Sequence, residues 1–213
     1  MTPLLAPYQI TMIITLTKRY MLPIHRVLAI WLTRPIISRL EKKQYSQLGE
    51  ISTLKYSNTQ TPQHSLILLQ DGIVTPVLVE SQISDRTVII LPDGYAMMPY
   101  RMRYTDRDDI LFVHEDMTDV RRAQAWIDIS NGLFPIIYGT RKLLLYNLER
   151  YDHIIYIEDT LGSDYWHYPI HIDYLDILRM LVDAHPPLRI SILTSTPRLT
   201  TLSLFRDFEL RNQ

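Results

Sequence analysis

The sequence holds 213 residues and not one cysteine. That excludes a disulfide framework, a zinc ribbon and a thiol nucleophile. It also fits a reducing compartment, so a cytoplasmic protein is expected. Long hydrophobic runs are missing too. The apolar stretches near Ile10–Leu16 and Val27–Leu32 fall short of the roughly 20 residues needed to cross a bilayer. Lys18, Arg19, Arg26, Pro23 and Pro35 interrupt them. No membrane partner is expected. A secretory leader is not expected either, because the basic residues follow the first apolar run instead of preceding it. No internal repeat is visible.

What is present is the composition of a packed protein, with 46% hydrophobic and 21% charged residues. The length suits one α/β domain plus an appended segment. The net charge of −1 conceals an asymmetry. Residues 1–45 carry seven basic side chains (Lys18, Arg19, Arg26, Arg34, Arg39, Lys42, Lys43) against Glu41 alone. The remainder carries 15 basic and 22 acidic residues, a net of −7. A basic end on an acidic body suits a polyanion or membrane-surface partner for that end, or simply a solvated helix face.

Residues 1–45 predict two helices, Pro7 to Arg19 and Ile24 to Leu40, broken at Pro23, with Pro35 as a kink or end. Residues 46–64 are polar and predict a linker. From Ser65 to the end, 65–213, the rhythm changes. Short runs of Ile, Leu and Val recur without polar alternation, at Ser65–Leu69, Val88–Leu91, Ile110–His114, Ile136–Tyr138, His153–Ile157 and Arg189–Leu193. Such runs mark strands buried on both faces. Between most of them lie helical segments, at Pro76–Ser84, Tyr95–Tyr104, Asp119–Ser130 and His171–Ala184. The alternation argues for an α/β fold with an open, mainly parallel sheet of five or six strands and flanking helices.

The chemistry concentrates in Ile136–Trp166. One apolar run turns at Gly139-Thr140-Arg141, and the next ends in Glu158-Asp159. An open α/β sheet places its ligands just past the carboxyl ends of its strands. Paired acids there can hold magnesium, or can simply mark where a strand leaves the core. His167 and His171 stand four apart, but Pro169 between them argues against a helical metal pair, and no metal site is expected. Tyr165, Trp166, Tyr168 and Tyr174 could stack on bases, although packing is the commoner use of dense aromatics. Thr194-Ser195-Thr196-Pro197 offers hydroxyls with no identifiable His–acid partner, so no nucleophile is assigned.

These residues, in this order, resemble the first motor lobe of the primosomal protein N′ family, superfamily 2 DNA helicases of replication restart. Gly139-Thr140-Arg141 matches the family's GTR. Glu158-Asp159 stands where the family has Asp-Glu, with Ser163 and Tyr165 in the tail of that motif and His171 and Arg179 in the helix after it. Leu91-Pro92-Asp93 and Pro99 resemble a V-P-E motif and its later proline. His114, Asp119, Arg122, Ala125 and Trp126 resemble the segment that follows. Thr196-Pro197 matches the end of G-S-A-T-P. Tyr20, Pro23, Ile24, Val27 and Leu28 resemble the close of the family's amino-terminal DNA-binding region.

The resemblance implies a RecA-like lobe over 65–213, preceded by a basic helical segment over 1–45. It also implies nucleic-acid contact through Thr140 and Arg141, to which the basic end adds Lys18, Arg19, Arg26 and Arg34. A fork-shaped cation beside a hydroxyl suits phosphate oxygens, and equally suits a nearby acid. The departures are specific. A phosphate loop needs clustered glycines and a lysine. Residues 68–80 hold Gly72 alone and no lysine, with Val74 before Thr75, so Gly72 and Thr75 are at most a nucleotide-binding vestige. The acidic pair Glu158-Asp159 is inverted, Leu161 replaces a histidine, and neither the second motor lobe nor the zinc cysteines have counterparts. No intact catalytic residue and no cofactor is expected. The expectation is a non-catalytic protein binding forked or single-stranded DNA, with a protein partner covering the lobe face. An ATP- and magnesium-binding helicase fragment working with a separate second lobe, and a pure protein-interaction module, stay open as alternatives.

Overall fold

The computed structural model describes residues 5–33, 36–38, 63–70, 74–158, 165–166 and 172–213. The expected linker over 46–64 therefore lies outside the described residues except for its last two positions. The second predicted helix, expected to reach Leu40, stops at Trp31 with Leu32 as its cap, and residues 36–38 are helical again; its Pro35 kink lies outside the described residues.

Seven strands form one open sheet, and every neighbouring pair runs parallel. They are β1 Ser65–Leu68, β2 Thr87–Leu91, β3 Ile110–Val113, β4 Ile136–Thr140, β5 His153–Ile157, β8 Arg189–Thr194 and β9 Glu209–Asn212. Their spatial order is β3-β4-β2-β5-β8-β1-β9. Between β5 and β8 lies a small antiparallel pair, β6 Tyr165–Trp166 and β7 Ile172–Asp173. Six of the seven strands coincide with the apolar runs. The seventh, β9, is exposed at every position on the sheet edge, so it carries no run of apolar residues to betray it.

The central strands are buried throughout because both faces are covered. Alternate residues divide between two cores. Val88, Ile90, Ile137, Ile154, Tyr156, Ile190 and Ile192 pack toward five helices. These are α1 Pro7–Arg19, α2 Ile24–Trp31, α5 Asp119–Asn131, α6 Tyr174–Ala184 and α7 Leu199–Leu204. Ile89, Leu91, Tyr138, Ile155, Ile157 and Leu193 pack toward α3 Pro76–Ser81 and α4 Gly94–Arg103. Tyr138 stacks on Phe112 there, with ring centroids 5.2 Å apart. Fully burying each such apolar side chain stabilises by about 1.5–3 kcal/mol.

The amino-terminal helices pack on the sheet's helical layer. Helix α1 starts with Pro7 at its first turn, where the missing N–H costs nothing. Gln9 is fully buried, and both ends of its amide are used: its oxygen accepts the Ala6 N–H at 2.9 Å and its nitrogen donates to the Leu145 carbonyl at 3.1 Å. Tyr8 stacks on His185 at 5.2 Å, just past the end of α6. At the other end Arg19 pairs with Asp176 at 2.6 Å, and the Tyr20 hydroxyl donates to the same carboxylate at 2.5 Å. Thus α1 runs antiparallel to α6. Because α6 follows β5 and precedes β8, it descends from the carboxyl edge of the sheet. Helix α1 therefore rises to that edge and delivers the α1–α2 turn there.

At the opposite edge, Arg189 donates to His153 Nδ1 at 2.8 Å. A guanidinium can only donate, so the ring proton sits on Nε2 and points to Ser191 Oγ, also 2.8 Å away. Burial and the Arg189 charge push the His153 pKa down to about 3. Burial alone pushes His185 down to about 4.

Candidate nucleic-acid interface at the carboxyl edge

The strand register brings the quoted motifs to one edge. Leu91 pairs with Thr140, Ile157 with Leu193, and Leu68 with Thr194. Each strand end then hands its polar residue to a defined task.

After β4, Gly139 is required by close approach. A Cβ there would sit 2.7 Å from a Leu143 methyl and 3.2 Å from the Val113 carbonyl, so the chain can turn tightly into the 3₁₀ helix Arg141–Leu145. Thr140 stays half-buried at the rim. The Arg141 side chain turns inward and is 3% exposed. Its guanidinium donates to the Pro92 carbonyl at the end of β2 and, through Nε at 3.2 Å, to the Tyr156 hydroxyl on β5. It also lies over the Tyr156 ring, 5.8 Å from its centroid. In this arrangement Arg141 ties three strand ends together. It presents almost no surface to an external phosphate.

After β5, Glu158 is equally buried. Its Oε1 accepts Arg198 Nε at 3.1 Å and the Thr201 hydroxyl, both from the segment after β8. Oε2 is buried with no hydrogen-bond partner among the described residues. Asp159 lies outside the described residues, as do Ser163, His167 and His171. After β1, Gly72 also lies outside them. Thr75 accepts the Leu78 N–H at 3.3 Å and so caps α3. After β2, Asp93 accepts the Ala96 N–H at 2.8 Å and caps α4. Among the described residues no group of three His, Asp or Glu side chains could hold a metal ion. No helix among them is long and apolar enough to cross a membrane.

The cations of the amino-terminal helices are placed differently. Lys18 and Arg26 are exposed, and their side chains make no hydrogen bond or ion pair among the described residues. Arg19 is committed to Asp176. Arg34 lies outside the described residues. Beyond the turn, α2 crosses toward β3 and β4. Between them lies a cleft of 390 Å³, walled by Ile30, Trp31, Trp126 and Tyr146 and rimmed by His114 and Lys142. Lys142 pairs with Glu115 at 2.9 Å across the rim. Burial and the charge of Arg101 lower the His114 pKa. Of these wall residues Trp126 carried a sequence signal as part of a quoted motif, and Trp31 as part of the apolar side of the second predicted helix. Arg198 and Thr201, the partners of Glu158, carried none beyond standing next to Thr196-Pro197.

No family model matches the chain, and no curated protein matches it. Solved structures do match in shape. The S. cerevisiae Dbp5 C-terminal domain bound to Gle1 and IP6 is 8% identical, with a TM-score of 0.49, covering 71% of this chain and 89% of that one. The C-terminal domain of the DEAD-box protein Dbp5 is 12% identical, with a TM-score of 0.47, covering 73% and 91%. The Pyrococcus furiosus Hef helicase domain is 11% identical, with a TM-score of 0.49; 85% of this chain is covered but 40% of that one.

Proposed function

We propose that this chain is a non-catalytic, RecA-like helicase lobe that binds forked or single-stranded DNA in replication or repair, as a degenerate relative of the primosomal protein N′ family. One observation carries the reading. Arg141 and Glu158, the motif side chains placed at the carboxyl edge, are bonded inward, while Lys18 and Arg26 stand exposed at the turn that α1 delivers to the same edge. Exposed cations supply the sequence-independent, salt-sensitive part of nucleic-acid affinity.

The reading assigns no ATP–magnesium site, and three observations support that choice. The Thr75 hydroxyl caps a helix, residues 68–80 contain no lysine, and Glu158 Oε1 is held by Arg198 and Thr201. No nucleotide step is assigned, and cytoplasmic placement with DNA belongs to the same proposal. Fluorescence anisotropy of labelled forked DNA across a salt series tests it. Affinity falling steeply with salt supports the reading, and absence of binding at low salt removes it. A Mg-ATP titration that shifts the melting temperature would favour the helicase-fragment alternative.

A protein partner for the lobe has its own support. Tyr95, Met98 and Met102 form an exposed stripe on α4, and methionine-rich surfaces adapt to partner side chains. Pull-down with an α4 variant, Met98→Glu with Met102→Glu, tests this second contact.

A further inference from the structure

Helix α1 ends in an unusual way. The Tyr20 N–H bonds the Leu16 carbonyl at 2.9 Å, and the Leu22 N–H reaches back to Thr17 at 3.1 Å. That six-to-one bond closes a helix through a residue in the left-handed region, a position normally held by glycine. Here it is held by Met21, at φ 51°, the one non-glycine residue with positive φ among the described residues. A side chain there is unfavourable, and strained positions that persist point to use. Packing is not the use, because Met21 is 92% exposed. Ile24, three residues on, is half exposed as well. Lys18 in the last turn of α1 and Arg26 in the first turn of α2 flank this apolar tip. Pro23 between the helices restricts the turn.

An apolar tip between two cations is the arrangement by which proteins insert a side chain between stacked bases while holding the adjoining phosphates. We propose that Met21 is a wedge that enters a base step of bound DNA, with Lys18 and Arg26 on the flanking backbone. The inference rests on the DNA-binding reading above and adds to it the residue and the mode of contact. The turn lies at the carboxyl edge, so a strand engaged there is unstacked beside the strand ends.

The test uses the full chain and forked DNA carrying 2-aminopurine at the junction, whose fluorescence rises when its neighbours unstack. Wild-type protein is expected to raise the signal several-fold at saturation. Met21→Gly and Met21→Asn, both suited to a left-handed position, are expected to melt no lower than wild type. They should still bind within about 5-fold of wild-type affinity, because the phosphate contacts carry most of it, and should lose most of the fluorescence rise. Lys18→Ala with Arg26→Ala should weaken binding and its salt dependence. An unchanged rise with DNA-bound Met21→Gly overturns the wedge while leaving DNA binding intact. Absence of DNA binding by wild type, or Met21-dependent binding to anionic vesicles in its place, overturns both readings.

Discussion

The strand ends and the α1–α2 turn lie at the same edge and treat charge in opposite ways. At the strand ends, Arg141 is 3% exposed and Glu158 buried, each bonded to other parts of the fold. At the turn, the side chains of Lys18 and Arg26 bond to nothing described, beside an exposed Met21. The comparison separates polar groups that hold the sheet edge together from those available to a ligand. A buried charge whose partner is removed is left without water or counter-charge, so the first set governs stability. Exposed charges cost little to remove, so the second set is where the proposed DNA contact is tested without loss of the fold.

The largest effect expected from breaking this contrast is at Glu158. Arg198→Ala leaves its carboxylate buried without its cation and is predicted to cost about 3–5 kcal/mol, read as a lowered urea midpoint. Arg141→Ala strands the Pro92 carbonyl and the Tyr156 hydroxyl and should cost about 2–3 kcal/mol. Lysine should not rescue it, having no planar fork to span both acceptors. Neither loss is expected to depend on DNA.

Acid sharpens the same contrast. His153 and His185 stay neutral in the fold, with pKa values near 3 and 4, yet the unfolded chain protonates them near pH 6.5. The unfolded state thus binds more protons as pH falls. Stability contributed by these rings is present above about pH 6.5 and is lost on acidification toward pH 4, by about 1.4 kcal/mol per pH unit for each ring. Urea melts at several pH values check the slope, and His185→Gln should flatten it.

Smaller and opposite in sign is Met21→Gly, predicted to stabilise by up to about 1 kcal/mol by relieving the left-handed backbone. Lys18→Ala with Arg26→Ala should leave the melting midpoint within about 0.5 kcal/mol of wild type.

Much of the fold was legible because the central strands are covered on both faces and must therefore be apolar throughout. Glu209–Asn212 escaped because an exposed edge strand has no such constraint, and α7 because six residues are too few to show a period. The candidate site was legible in position but not in orientation. The sequence places a cation just past β4. Whether it turns outward or inward is decided by Tyr156, 15 residues later, and Pro92, 49 residues earlier. Nor does Tyr20-Met21-Leu22-Pro23, lacking glycine, announce a left-handed turn.

The most direct measurement is the salt dependence of forked-DNA affinity for wild type and the Lys18→Ala, Arg26→Ala variant. The account predicts a steep fall in affinity with salt for wild type, and a slope of log affinity against log salt reduced by roughly 1.4–1.8 in the variant, the equivalent of two phosphate contacts. Identical slopes, or no binding by wild type at low salt, would contradict it.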